Sequence, residues 1–178
     1  RATPGDGLPP QSLAMAVPWP DRAGAIIGVV PLQDSTITQA LQGLLVAGGH
    51  QAEYRHIRDA KPKELPSADL YVFCAPTRVG KPIGKMRRFL KKARLPEGAR
   101  YALIATHGEP APDKKTGKMP TPEEIAKYQQ NLPAMEAILK EKGAVKVAEL
   151  KVYVKNTIKG PLADGWEKVV EEFAAKLM

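Results

Sequence analysis

Three short stretches hold the residues best suited to chemistry. Gln33-Asp-Ser-Thr-Ile-Thr38 offers the hydroxyls of Ser35, Thr36 and Thr38 where a helix is expected to start. Such a place suits a phosphate, because orphan backbone N–H groups and the helix dipole both favour negative charge. Asp34-Ser35 also reads as a plain helix N-cap, which needs no ligand. Ala75-Pro-Thr-Arg-Val-Gly80 combines a hydroxyl, a guanidinium and a glycine, and leads into Lys81, Lys85, Arg87 and Arg88. Thr106-His-Gly-Glu109 adds an imidazole and a carboxylate beside another glycine.

Other chemistries are excluded by residue type and spacing. One cysteine, Cys74, cannot form an intrachain disulfide or a multi-cysteine metal site. It closes an apolar run and is expected in the core. His50, His56 and His107 lie too far apart in sequence for a metal-ligand motif. Gly80-Lys-Pro-Ile-Gly84-Lys85-Met86 is one residue short of a P-loop and lacks its Ser/Thr. Neither Gly-x-Ser-x-Gly nor Gly-x-Gly-x-x-Gly occurs.

The charge is concentrated. The 178 residues carry 27 Lys+Arg against 19 Asp+Glu, a net charge of +8. From Leu70 to Pro96 there is no Asp or Glu, and eight cations run from Arg78 to Arg94. The rest of the chain balances, 19 against 19. The segment is either a solvated helix face or the border of an anion site or acidic partner. Without interleaved aromatics it is a poor stacking platform for single-stranded nucleic acid. No apolar run approaches the ~20 residues of a membrane helix.

Positioning these stretches takes a series of alternating elements. Residues 1–23 are a Pro-rich arm, and residues 24–178 form the domain. The arm lacks a charged and then apolar leader pattern, and the first residue is not Met, which reads as processing or added residues. Short apolar segments at 25–30, 70–74 and 101–106 predict strands, and 52–57 and 145–154 are read as two more. Helix spacing is carried by Ile37, Leu41, Leu44 and Leu45, then by Met86, Phe89, Leu90 and Ala93. A third helix follows the capping box Thr121-Pro-Glu-Glu124, with Pro133 kinking or splitting it. Trp166, Val169, Val170, Phe173 and Leu177 mark a closing helix. Pro76 and Pro82 are expected to hold the segment after the third strand as an open loop. Five strands alternating with helices predict an α/β fold with a parallel sheet covered on both faces. Ligands of such sheets bind beyond the carboxyl ends of the strands, where the three stretches fall.

The segment Ala75-Pro-Thr-Arg-Val-Gly80, with Met86-Arg-Arg-Phe-Leu90, resembles the flavodoxin family and related flavodoxin-like FMN-binding reductases. Ser67-Ala-Asp69, Thr106-His-Gly108, Gly160-Pro-Leu162 and Gly165-Trp166 fit the same family. The resemblance spans residues 24–178. It implies a flavodoxin-like five-stranded parallel sheet, order 2-1-3-4-5, and bound FMN. It further implies that Ser35, Thr36 and Thr38 hold the phosphate. Pro76, Thr77, Arg78, Val79 and Gly80 would run along one side of the ring, and Thr106, His107 and Gly108 along the other edge. The Gly80 carbonyl would accept from the flavin N5–H, and Arg78 and Lys81 would stabilise the anionic reduced ring. The first loop departs from the family pattern, since its glycine is missing and Asp34 brings a like charge. At ~4 Å and an effective dielectric of ~20, such a contact costs about 4 kcal/mol, so Asp34 must point away, or the site differs, or FMN is not bound.

Two functions follow from the resemblance. One is an FMN-binding electron-transfer protein or small flavin reductase, an oxidoreductase if it turns over substrate. An acidic redox partner would dock on Lys81, Lys85, Arg87 and Arg88. The other is a domain of this fold without FMN, acting as a docking module through the basic face. A cytoplasmic setting is expected in either case.

Overall fold

The computed structural model describes residues 26–30, 35–155 and 161–178. The Pro-rich arm, Gln33 and Asp34 of the first stretch, and Gly160 lie outside these residues.

Strand β1 (Ile26–Val30) is followed by helix α1 (Ser35–Ala47) and strand β2 (Ala52–His56). Ile37, Leu41 and Leu45 are buried on one helix face, as their spacing predicts, and Leu44 packs at its edge. The crossover to the next strand holds two 3-10 turns, Ile57–Asp59 and Pro62–Glu64. Strand β3 (Leu70–Arg78) is longer than the apolar run that announced it. A two-residue strand β4 (Lys81–Pro82) pairs back onto it. Helix α2 (Gly84–Lys92) buries Met86, Phe89 and Leu90 and turns its cations outward.

Strand β5 (Arg100–Gly108) leads through a long loop to α3 (Pro122–Tyr128), capped where Thr121 Oγ1 accepts from the Glu124 N–H at 3.2 Å. Helix α4 (Asn131–Glu141) follows after a break at Gln129-Gln130. Pro133 explains where the break falls. Its ring excludes a helical carbonyl four residues back, at Gln129, so the chain restarts and Pro133 sits in the new first turn. Strand β6 (Val145–Val154) and helix α5 (Trp166–Leu177) complete the chain. In α5, Val169 is 38% exposed and Ala174 takes the inward place beside Val170 and Phe173.

The five long strands pair in parallel in the order β2-β1-β3-β5-β6. Counted without the hairpin strand, this is the expected 2-1-3-4-5. The expectation lacked β4, which pairs antiparallel with β3, so the sheet has six strands and is not purely parallel. Side chains alternate across the central strands. Tyr71, Phe73, Tyr101 and Leu103 pack under α2 and α4. Val72, Cys74, Ala102 and Ile104 pack under α1 and α5. Both faces are covered, which is why β3 and β5 read as nearly unbroken apolar runs.

Candidate functional site

The carboxyl ends of β3 and β5 stand side by side, with Pro76 opposite Thr106. Beyond them β3 does not open into a loop. It continues to Arg78, turns at Val79-Gly80 and returns as Lys81–Pro82, pairing Arg78 with Lys81 and Thr77 with Pro82. Val79 and Gly80 have φ of +49° and +78°, the double positive φ of a two-residue type I′ turn. Pro82 is tolerated because it sits in a two-residue edge strand.

Gly80 is required at its position for two reasons. Its φ suits glycine, and a Cβ there would meet Lys127 O at 3.0 Å and Tyr128 Cα at 3.3 Å. The hairpin tip is thus pressed against the α3–α4 junction. The Gly80 carbonyl accepts from the Gln130 N–H at 2.7 Å. The oxygen expected to face a flavin N5–H is therefore engaged within the protein.

Beneath the hairpin lies a buried polar chain. Asn131, wholly buried, donates through Nδ2 to the Ala75 carbonyl and to Thr77 Oγ1, both at 2.9 Å. The Ala75 contact fixes which way the amide faces, since only the NH₂ can point at a carbonyl. Thr77 Oγ1 and His107 Nδ1 are hydrogen-bonded at 2.8 Å, with the donor set by the imidazole tautomer. Where Thr77 donates, His107 carries its proton on Nε2. Burial, and then the nearby Lys151 cation, push the His107 pKa down to about 4, so the ring is neutral. Tyr153 lies opposite His107 in β6, with ring centroids 6.2 Å apart. Gln129 links this region onward, donating to Tyr153 OH at 3.3 Å and accepting from Lys151 Nζ at 3.1 Å.

His107 is 4% exposed, and its Nε2 has no hydrogen-bond partner among the described residues. An unpaired buried donor costs ~1–3 kcal/mol, so the position is one where a ligand acceptor would be welcome. It stands in the wall of a cleft of about 480 Å³ between the hairpin, residues 107–113 and α3. Thr77, Val79, Gly80 and Gly108 share this wall with apolar Ile125 and Tyr128. Glu109, Asp113 and Glu124 also border it, against one cation, Lys118.

The expected site residues divide among four places. Thr77, Val79, Gly80, His107 and Gly108 gather at this cleft. Arg78, Lys81, Lys85, Arg87 and Arg88 line a different concavity on the other side of the hairpin, which Val79 also borders. Arg78 and Lys81 were expected beside a ring. Strand alternation carries Arg78 to the opposite side from Thr77, and the turn returns Lys81 beside it. Pro76 and Thr106 are buried in adjacent strands. At the start of α1, Thr36 is exposed, whereas Thr38 is buried beside a small crevice with Leu41 and Val72. Asn131 was not anticipated at all. Its signal was present as a polar residue between Tyr128 and Leu132 on a helix face.

No protein-family model matches the chain, and no curated protein matches it in sequence. Solved structures do match. Oxidised flavodoxin 2 from Bacillus cereus superposes with a TM-score of 0.64 at 16% identity, over 86% of this chain and 97% of that one. This chain has a flavodoxin-like fold. A short-chain flavodoxin associated with a non-canonical PDU bacterial microcompartment gives 0.61 at 15% identity, over 88% and 97%. The flavodoxin of Streptococcus pneumoniae TIGR4 gives 0.60 at 16% identity, with the same coverage. The flavodoxin-like domain spans nearly the full length of all three. No helix among the described residues is long and apolar enough to cross a membrane.

Proposed function

We propose that this flavodoxin-like protein binds FMN with the ring in the 480 Å³ cleft, and serves as an electron-transfer protein or small flavin reductase. The observation that carries the reading is the buried His107 Nε2, unpartnered among the described residues, in the wall of that cleft at the strand ends where ligands of this architecture bind. The volume lies in the range of small-molecule sites, roughly 300–1,000 Å³. Bound FMN would supply one- and two-electron redox chemistry, and the protein would hold the ring and set its electrostatic surroundings.

The chain's own residues divide that work. His107 donates from Nε2 to a ring acceptor, and stays neutral because its burial and Lys151 oppose a second proton. Thr77 and Asn131 hold the imidazole in the tautomer that makes this possible. Gly80 and Gly108 carry no side chain and let the backbone approach closely. Ser35, Thr36 and Thr38 hold the phosphate through hydroxyls and the amides at the start of α1. Glu109, Asp113 and Glu124 oppose negative charge on the ring, while Arg78 and Lys81 act on it across the hairpin. Val79, 96% exposed at the tip, is available to a redox partner between those two cations. An acidic partner suits the face that Lys81, Lys85, Arg87 and Arg88 present. A cytoplasmic setting completes the reading, in keeping with a single buried cysteine.

The test is a fluorescence titration of FMN with flavin-free protein. Quenching at one equivalent and micromolar concentration is expected. His107→Leu should weaken binding about 5- to 10-fold, the loss of one hydrogen bond. Absence of quenching at saturating FMN would overturn the reading and leave the flavin-free docking module.

A further inference from the structure

Across the hairpin lies the larger concavity, about 960 Å³, between the end of β2, the hairpin and α2. Seven of its lining side chains are Lys or Arg, and none is acidic among the described residues. One of the seven, Arg58, has an acidic neighbour, Asp59, at 3.9 Å. The floor is apolar, made by Ile57, Ala60, Ile83 and Phe89.

The cations converge instead of spreading. A methyl group on Gly84 would sit 3.3 Å from Arg88 Nη1 and 3.9 Å from Arg87 Nη2, so the two guanidinium groups approach within about 7 Å of each other. They meet over the first turn of α2, which has no side-chain cap. Arg87 Nε is buried with no hydrogen-bond partner among the described residues. Two guanidinium groups and a helix N-terminus are all positive, so their meeting is unfavourable unless an anion lies between them. Paired guanidinium groups are the usual device for a phosphoryl group, which they bind through several N–H donors at once.

We infer that this cleft is a second ligand site, separate from the flavin cleft, that takes a phosphorylated organic molecule of the nucleoside diphosphate class. The phosphoryl groups sit against Arg87, Arg88 and the start of α2. The apolar body lies on Ile57, Ala60 and Phe89, with Arg58 and Arg78 at the rim. An acidic partner on the exposed rim of Lys81 and Lys85 would leave the apolar floor unfilled, and one small molecule of mixed character fills it.

The experiment is calorimetric titration with ADP, adenosine and pyrophosphate, on the flavin-free protein and again with saturating FMN. ADP should bind at least 10-fold more tightly than adenosine, and more tightly than pyrophosphate, with an affinity that falls as salt rises. Arg87→Ala combined with Arg88→Ala should weaken ADP at least 10-fold while leaving FMN quenching unchanged. The single variant Arg88→Gln, at an exposed position, should weaken it severalfold and guards against misfolding of the double variant. Equal binding of ADP and adenosine, ADP affinity unchanged in both variants, or displacement of ADP by one equivalent of FMN would each overturn the inference. So would binding of a polyglutamate peptide when ADP does not bind, which would assign the face to an acidic protein. The flavin-free arm stands whether or not FMN binds.

Discussion

On one side of the Val79-Gly80 turn, Thr77, His107 and Asn131 form a buried chain of hydrogen bonds that leaves His107 Nε2 and Asn131 Oδ1 without partners among the described residues. On the other, Arg78 and Lys81 join five more cations around an apolar floor, with no carboxylate among the described lining residues. The same strand supplies both, because successive side chains of β3 point to opposite sides. Burial separates their roles. Inside, polar groups must be paired and oriented, so a buried polar atom left unpaired is informative. Outside, solvated charges are tolerated singly, so their convergence is the informative feature.

The contrast depends on the hairpin staying pressed against α3, and the largest predicted effect comes from disturbing that contact. Gly80→Ala combines left-handed strain with a close approach to Lys127 O, and should destabilise the protein by about 2–4 kcal/mol in urea unfolding. It should also open the flavin cleft, weakening FMN and leaving ADP less affected.

Next is the buried imidazole. His107 has a folded-state pKa near 4 against an ordinary value of 6.5. Below 6.5 the unfolded chain takes up the proton first, so stability falls with pH down to about 4 and levels off below that. The gap corresponds to about 3 kcal/mol. The pKa of His56 is lowered in the same direction, also mainly by burial. Urea unfolding of His107→Gln between pH 7 and 4 isolates the His107 share. The variant should lose most of the pH dependence, and an unchanged profile would remove the neutral-donor argument.

A smaller effect is expected at the turn itself. Val79 is a β-branched residue at φ +49° where a type I′ turn prefers Asn or Gly. Val79→Asn should stabilise the protein by about 1 kcal/mol in the same assay.

The smallest effect separates the two faces electrically. Arg78→Ala and Lys81→Ala should lower the midpoint potential for forming the anionic reduced flavin by at most a few tens of millivolts. Glu124→Gln, on the flavin side, should raise it. Spectroelectrochemical titration of all three reads the signs directly.

Much of the scaffold was legible in the sequence. The segment read as a strand at 145–154 coincides with β6, and the spacing of Met86, Phe89 and Leu90 marks the buried face of α2. These elements bury one face or both, and periodicity reports burial. The hairpin was not legible. Pro76 and Pro82 read as loop punctuation, and Val79 masks a turn that usually announces itself as Asn-Gly or Asp-Gly. Asn131 escaped notice because its role depends on Thr77 and Ala75, more than 50 residues earlier. The division of the cations from the flavin cleft likewise follows from side-chain direction at the strand end. In a segment read as an open loop, that direction is not defined.

Backbone amide NMR shifts during separate FMN and ADP titrations test the two-sided hairpin most directly. FMN should move His107, Gly108 and Glu109 first and leave Lys85, Arg87 and Arg88 nearly still, with ADP giving the reverse. Both ligands moving one common set, or FMN moving the α2 residues ahead of His107, would contradict the account.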